Sequence, residues 1–132
     1  MKRMRIVDRR DRLEVNFKFP DCRLVDLEIT LHHVARENRW SLSRDGGIGE
    51  AIYRVSLTET FMATARFTHG LEPPTWAIFE NKPPDQQNYW RAAKRSTLQV
   101  AKAFLKECAD RGLITDRARD EALKELDQHD HE

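Results

Sequence analysis

The segment from Asp85 to Gly112 constrains what this chain can become more than any other stretch. Advancing about 100° per residue places Trp90, Ala93, Val100, Ala101, Phe104 and Cys108 on one side of a helix. Arg91, Arg95, Lys102 and Lys106 fall on the other side, within an arc of about 60° that holds no acidic residue. A helix built this way must bury its apolar stripe against other elements and offer positive charge outward. The rest of the chain therefore has to supply an apolar surface to receive it.

Three stretches can supply that surface. Leu13, Val15, Phe17 and Phe19 alternate with Glu14, Asn16 and Lys18, the period of a half-buried strand. Pro20 and Asp21 end it, with Asp21 the expected N-cap of the next element. Leu24, Leu27, Leu31 and Val34 recur at steps of three and four, which predicts a helix from Cys22 to about Asn38. From Glu50 to Thr68, apolar side chains hold odd positions from Tyr53 to Phe67, while Arg54, Ser56, Thr58, Thr64, Arg66 and Thr68 hold even ones. That alternation is too long for one ordinary strand, so two strands broken near Glu59 are expected. The competing reading is a helix from Leu57 to His69, with Ser56 and Glu59 as a capping box and Gly70 as its C-cap.

Beyond these, Thr75 to Phe79 reads as a short apolar strand between Pro73-Pro74 and Pro83-Pro84. Asp85 is the expected N-cap of the long helix and Gly112 its end. Thr115 caps a last short helix running to about Asp127. Residues 1–11 read as a basic flexible arm, 12–127 as a single α+β domain and 128–132 as a disordered acidic tail. The predicted architecture is α+β. A small antiparallel sheet of three to four strands is packed by two main helices plus a short C-terminal helix, in the order β-α-β-β-β-α-α. The central α-β-β-β-α order is similar to that of double-stranded-RNA-binding domains in topology. The loop before the helix departs from them: it is Lys82-Pro83-Pro84, not a Gly-rich loop leading into Lys-Lys-x-Ala-Lys.

The net charge is only +1, so the molecule as a whole carries no strong electrostatic message. Its ends do. Lys2, Arg3, Arg5, Arg9, Arg10 and Arg12 face only Asp8 and Asp11 at the start, whereas acids outnumber bases after Thr115. No apolar stretch follows the basic start, so no secretory signal is expected, and no run approaches the ~18 apolar residues of a membrane span. Cys22 and Cys108 show no motif spacing, the pattern of free thiols in a reduced, cytoplasmic setting.

The leading functional expectation is non-catalytic contact with nucleic-acid backbone. It rests on Arg91, Lys94, Arg95, Lys102 and Lys106 on the helix, helped by Arg3, Arg5, Arg9 and Arg10 from the arm. The opposing reading pairs this stripe with Asp120, Glu121 and Glu125 folded back onto Arg95 or Lys102. The alternative function is a protein-interaction subunit, adaptor or inhibitor, with Trp40 and Tyr89 as interface candidates; Trp76 and Trp90 are assigned to the core. An undetected enzyme is third. Cys22 opens a helix, where the dipole favours a thiolate, but no partner base is placed by a motif. Gly46-Gly47-Ile48-Gly49 lacks the end of a phosphate-binding loop and reads as a turn. Glu28 and His32 share a helix face, but His33 points elsewhere, and two ligands fall short of a catalytic zinc site; His129 and His131 sit in the tail. No cofactor or metal is expected, and no catalytic residue is assigned.

Overall fold

A computed structural model describes residues 3–9, 12–39, 47–48, 51–57, 62–69 and 86–130. The strands are β1 (Met4–Arg9), β2 (Arg12–Phe19), β3 (Gly47–Ile48), β4 (Ala51–Leu57) and β5 (Ala63–His69). The helices are α1 (Leu24–Glu37), α2 (Gln86–Asp110) and α3 (Asp116–Asp130). The architecture is α+β, an antiparallel sheet in the order β1-β2-β5-β4-β3 with helices on one face. The 51–69 region forms two strands, as its alternation predicts, and the competing helix from Leu57 to His69 is not formed.

The pleat sorts the residues of β2. Leu13, Val15, Phe17 and Phe19 are buried under the helices, and Arg12, Glu14, Asn16 and Lys18 turn to the other face. The antiparallel register places Val15 opposite Phe67, Phe17 opposite Ala65 and Phe19 opposite Ala63. Alternation of large and small lets α2 approach closely. The Phe104 ring lies edge-on to Phe19 at 5.9 Å and 5.6 Å from Phe67, above the small side chains Ala63 and Ala65. Burying a ring of this size stabilises the fold by roughly 1.5–3 kcal/mol. Thr97 and Thr30, both fully buried, satisfy their hydroxyls by donating to the carbonyls of Ala93 (2.9 Å) and Asp26 (2.7 Å) one turn earlier.

Residues Met4 to Arg9 correct the expected flexible arm. They form an edge strand, because Met4 and Ile6 alternate with Arg5 and Val7 and pack on the core while the backbone pairs with β2. The sheet consequently has five strands rather than three to four, β3 being a two-residue rung within the expected glycine turn. The strand expected at 75–79 and the cap expected at Asp85 lie outside the described residues.

Helix α1 starts later than expected. The Cys22 N–H donates to the Phe19 carbonyl at 3.3 Å and holds Asp21 in a turn, so Arg23 stands at the N-cap without a side-chain cap bond. At the junction of α2 and α3 the expectation holds. Gly112 adopts φ +75, its N–H donates to Ala109, and the Leu113 N–H donates to Cys108, the paired bonds of a Schellman ending. Thr115 Oγ1 then accepts the Ala118 N–H at 3.1 Å and caps α3. Residues 128–130, expected to be disordered tail, continue α3 as helix. Two side chains from this last turn are tied to the body of the protein, as described next.

Candidate nucleic-acid interface

Helix α2 presents Arg91, Arg95 and Lys106 to solvent, as its spacing predicts. Lys102 and Lys94 are not free. Lys102 Nζ lies 2.7 Å from Asp127 Oδ1 and 3.0 Å from Asp130 Oδ2, and its side chain is only 18% exposed. Burial disfavours the ammonium, but the hydrogen bonds to Asp127 and Asp130 outweigh it and raise the Lys102 pKa above its ordinary value. The cause is topological. The tight turn at Gly112 returns α3 antiparallel along α2, and Ala122 and Leu126 bury against the core. That packing turns the last two turns of α3 onto the centre of the stripe. The acids that meet Lys102 are therefore Asp127 and Asp130, further along the helix than the expected Asp120, Glu121 and Glu125.

Lys94 Nζ donates to Asp8 Oδ1 of β1 at 2.7 Å, and His129 Nδ1 of α3 lies 3.0 Å from the other carboxylate oxygen. Burial works against the Asp8 carboxylate, yet the bonds from Lys94 and His129 hold its pKa below the ordinary value. One carboxylate thus joins the edge strand to two helices. Arg91 and Arg95 border the same small cleft, about 60 Å³ in volume, together with Leu98 and Asp130. The stripe is consequently split. Arg91 and Arg95 stand at one end and Lys106 at the other, about 16 Å apart along the axis.

The basic residues at the start of the chain do not stay together, Arg3 standing before the strand that carries Arg5 and Arg9. Arg5 and Arg9 are exposed on the sheet face opposite the helices. Arg3 instead lines a cleft of about 370 Å³ under α3, beside Phe17, Arg117, Glu121 and Glu125. Arg10 and Trp40 lie outside the described residues, and Tyr89 lies in the first turn of α2.

Lys18 and Arg66, which sequence reasoning left out, lie on the same open face beside Arg12. The signal for them was present, since each holds a polar position in an alternating strand. Arg5, Asn16 and Arg66 are successive register partners across three strands, and β4 sets Arg54 in register with Arg66. Arg9 and Arg12 are also register partners. The acid on this face among the described residues is Glu14. It accepts from Arg12 (2.9 Å), Asn16 (3.0 Å) and Arg66 (2.9 Å). Burial opposes its charge, but these three donors hold its pKa below the ordinary value.

The cysteines and histidines assemble no reactive group among the described residues. Cys22 Sγ donates to the Leu113 carbonyl at 3.1 Å, and burial together with Asp21 and Asp26 pushes its pKa up, the reverse of the activation expected at a helix start. Burial also pushes up Cys108. His33 Nε2 lies 3.5 Å from Glu107, and His32 is exposed. No group of three or more His, Cys, Asp or Glu is placed to hold a metal among the described residues, and no helix among them is long and apolar enough to cross a membrane. Compared with known proteins, the chain matches no family model, no curated protein and no solved structure.

Proposed function

We propose that this chain is a non-catalytic binding protein that contacts the phosphate backbone of nucleic acid. The observation that supports this reading is how its charge is compensated. Lys94 and Lys102, which lie between packed elements, meet carboxylates, whereas Arg5, Arg9, Lys18, Arg91, Arg95 and Lys106 are exposed and make no ion pair among the described residues. Exposed cations of this kind bind phosphates by releasing counterions, which makes affinity fall steeply with salt. Fluorescence anisotropy with short labelled DNA and RNA, single- and double-stranded, tests it. Micromolar binding at low salt that weakens sharply toward physiological salt is expected. No binding at low salt overturns the reading.

A second reading, a protein-interaction subunit, has one observation of its own. Val25 and Ile29 are 47% and 52% exposed and lie one turn apart on α1. Under this reading Val25→Asp with Ile29→Asp abolishes complex formation and leaves nucleic-acid affinity untouched.

A further inference from the structure

We infer that the open face of the sheet, rather than helix α2, is the surface that meets nucleic acid, and that its partner is a duplex held through its phosphates. This rests on the nucleic-acid reading above and assigns its surface and substrate class. Arg5, Arg9, Lys18 and Arg66 are exposed on this face, with Arg12 half-buried among them. Strand rise and spacing place these five cations within a patch of roughly 20 by 10 Å. Glu14 is its acid among the described residues, and that carboxylate is already occupied by Arg12, Asn16 and Arg66.

The helical layer mixes both signs, its acids pairing with Arg117, Arg119 and Lys102. Asp116, Asp120, Glu121 and Asp127 of α3 are exposed beside α2, and Asp130 borders the cleft shared with Arg91 and Arg95. A polyanion approaching α2 meets these acids at short range, whereas one approaching the sheet does not. Among the described residues the sheet face therefore carries an excess of positive charge, whereas the acids and bases of α2 and α3 balance. The register of Arg9 with Arg12 is a further indication. Like charges directly opposite one another destabilise a sheet, and an anion laid across them relieves the repulsion.

The form of nucleic acid follows from what lies between the cations. Val7, Asn16, Thr64 and Thr68 fill the described part of the face, while Phe17, Phe19 and Phe67 all turn into the core. Proteins that grip single strands stack bases on aromatic side chains. The described face offers charge without such a platform, which suits a duplex whose bases are already stacked and whose phosphates form fixed rows.

The test compares the wild-type chain with two triple variants: Arg5→Gln/Arg9→Gln/Lys18→Gln on the sheet and Arg91→Gln/Arg95→Gln/Lys106→Gln on the helix. All six side chains are exposed and unpaired among the described residues, and circular dichroism and urea unfolding check that both variants fold. Anisotropy is measured against a labelled duplex and a single strand of the same sequence across a salt series, with phosphatidylserine vesicles as competitor. The sheet variant is expected to lose affinity on the order of tenfold or more, and its salt slope to flatten by about 2.7, near 0.9 for each lost phosphate contact. The helix variant is expected to lose severalfold less affinity than the sheet variant. Wild-type binding that only the helix variant loses overturns this inference and leaves the nucleic-acid reading standing. Tighter binding to the single strand, or displacement by the vesicles at lower concentration than by unlabelled duplex, also overturns it. A wild-type chain that binds no nucleic acid overturns both.

Discussion

Lys102 Nζ sits 2.7 Å from Asp127 Oδ1, with Asp130 closing the other side, so the middle of the basic stripe is neutralised from within the chain. Lys102→Met keeps the aliphatic stem and removes the charge. Because Asp127 and Asp130 stay partly exposed, losing their partner is expected to cost only about 0.2–1 kcal/mol in urea unfolding. Nucleic-acid affinity should not fall. A loss of affinity as large as that of Arg5→Gln would show that α3 leaves the stripe when ligand binds.

Asp8 is the more consequential ion-pair residue, because it bonds α2 and α3 at once through Lys94 and His129. Asp8→Ala leaves a half-buried ammonium without its carboxylate. Bonds to charged groups contribute more than neutral ones, and a loss of roughly 1.5–3 kcal/mol is expected from chemical denaturation. Hydrogen exchange should also quicken at the amides of 127–130, since the end of α3 loses its attachment to β1. Unchanged exchange there would assign the anchoring to Leu126 and to the pairs of Lys102 with Asp127 and Asp130.

These two contacts also mark where the sequence is legible and where it is not. The alternation in β2, the paired strands of 51–69, the face of α2 and the Gly112 ending were all readable, because each depends on local period or local turn chemistry. Strand β1 was not. Its apolar residues are Met4, Ile6 and Val7, and Val7 interrupts the alternation, so the pairing with β2 that completes the strand is not readable from the side-chain pattern. The site was half legible for a similar reason. Spacing on α2 places Lys102 beside Arg95, but its neutralisation depends on where α3 returns after Gly112. Lys18 and Arg66 looked like ordinary polar positions until the register set their strands side by side.

Gly112 offers a test of the turn that directs this return. Its φ of +75 is unfavourable for side chains with a Cβ, while a Cβ built there meets nothing within 4 Å. Gly112→Ala is therefore expected to cost about 1–2 kcal/mol from backbone strain alone, with no steric addition. Gly112→Asn should cost less, since Asn tolerates the left-handed region better. Urea midpoints of the two variants rank them, and equal losses would point to a steric cause instead.

The depressed carboxylates set the acid limit of stability. Asp8 and Glu14 both have folded pKa values below their ordinary 3.8 and 4.5, so the folded state releases their protons more readily than the unfolded chain. Each contribution is fully present above those ordinary values and is lost as pH falls through the lower folded value. Lys102 works in the opposite sense. Its pKa is raised above 10.5, so its contribution is complete below that value and is lost as pH climbs through the raised one. Urea midpoints measured against pH should accordingly show an acid decline from Asp8 and Glu14 beginning below about pH 4.5. Glu14→Gln should lower the unfolding free energy at neutral pH by roughly 1–3 kcal/mol and make the acid decline shallower, because the carboxylate that Arg12, Asn16 and Arg66 share no longer titrates. Lys102→Met should flatten only the alkaline limb. An acid limb identical in Glu14→Gln and wild type would remove Glu14 as a source of acid sensitivity and assign the decline to Asp8.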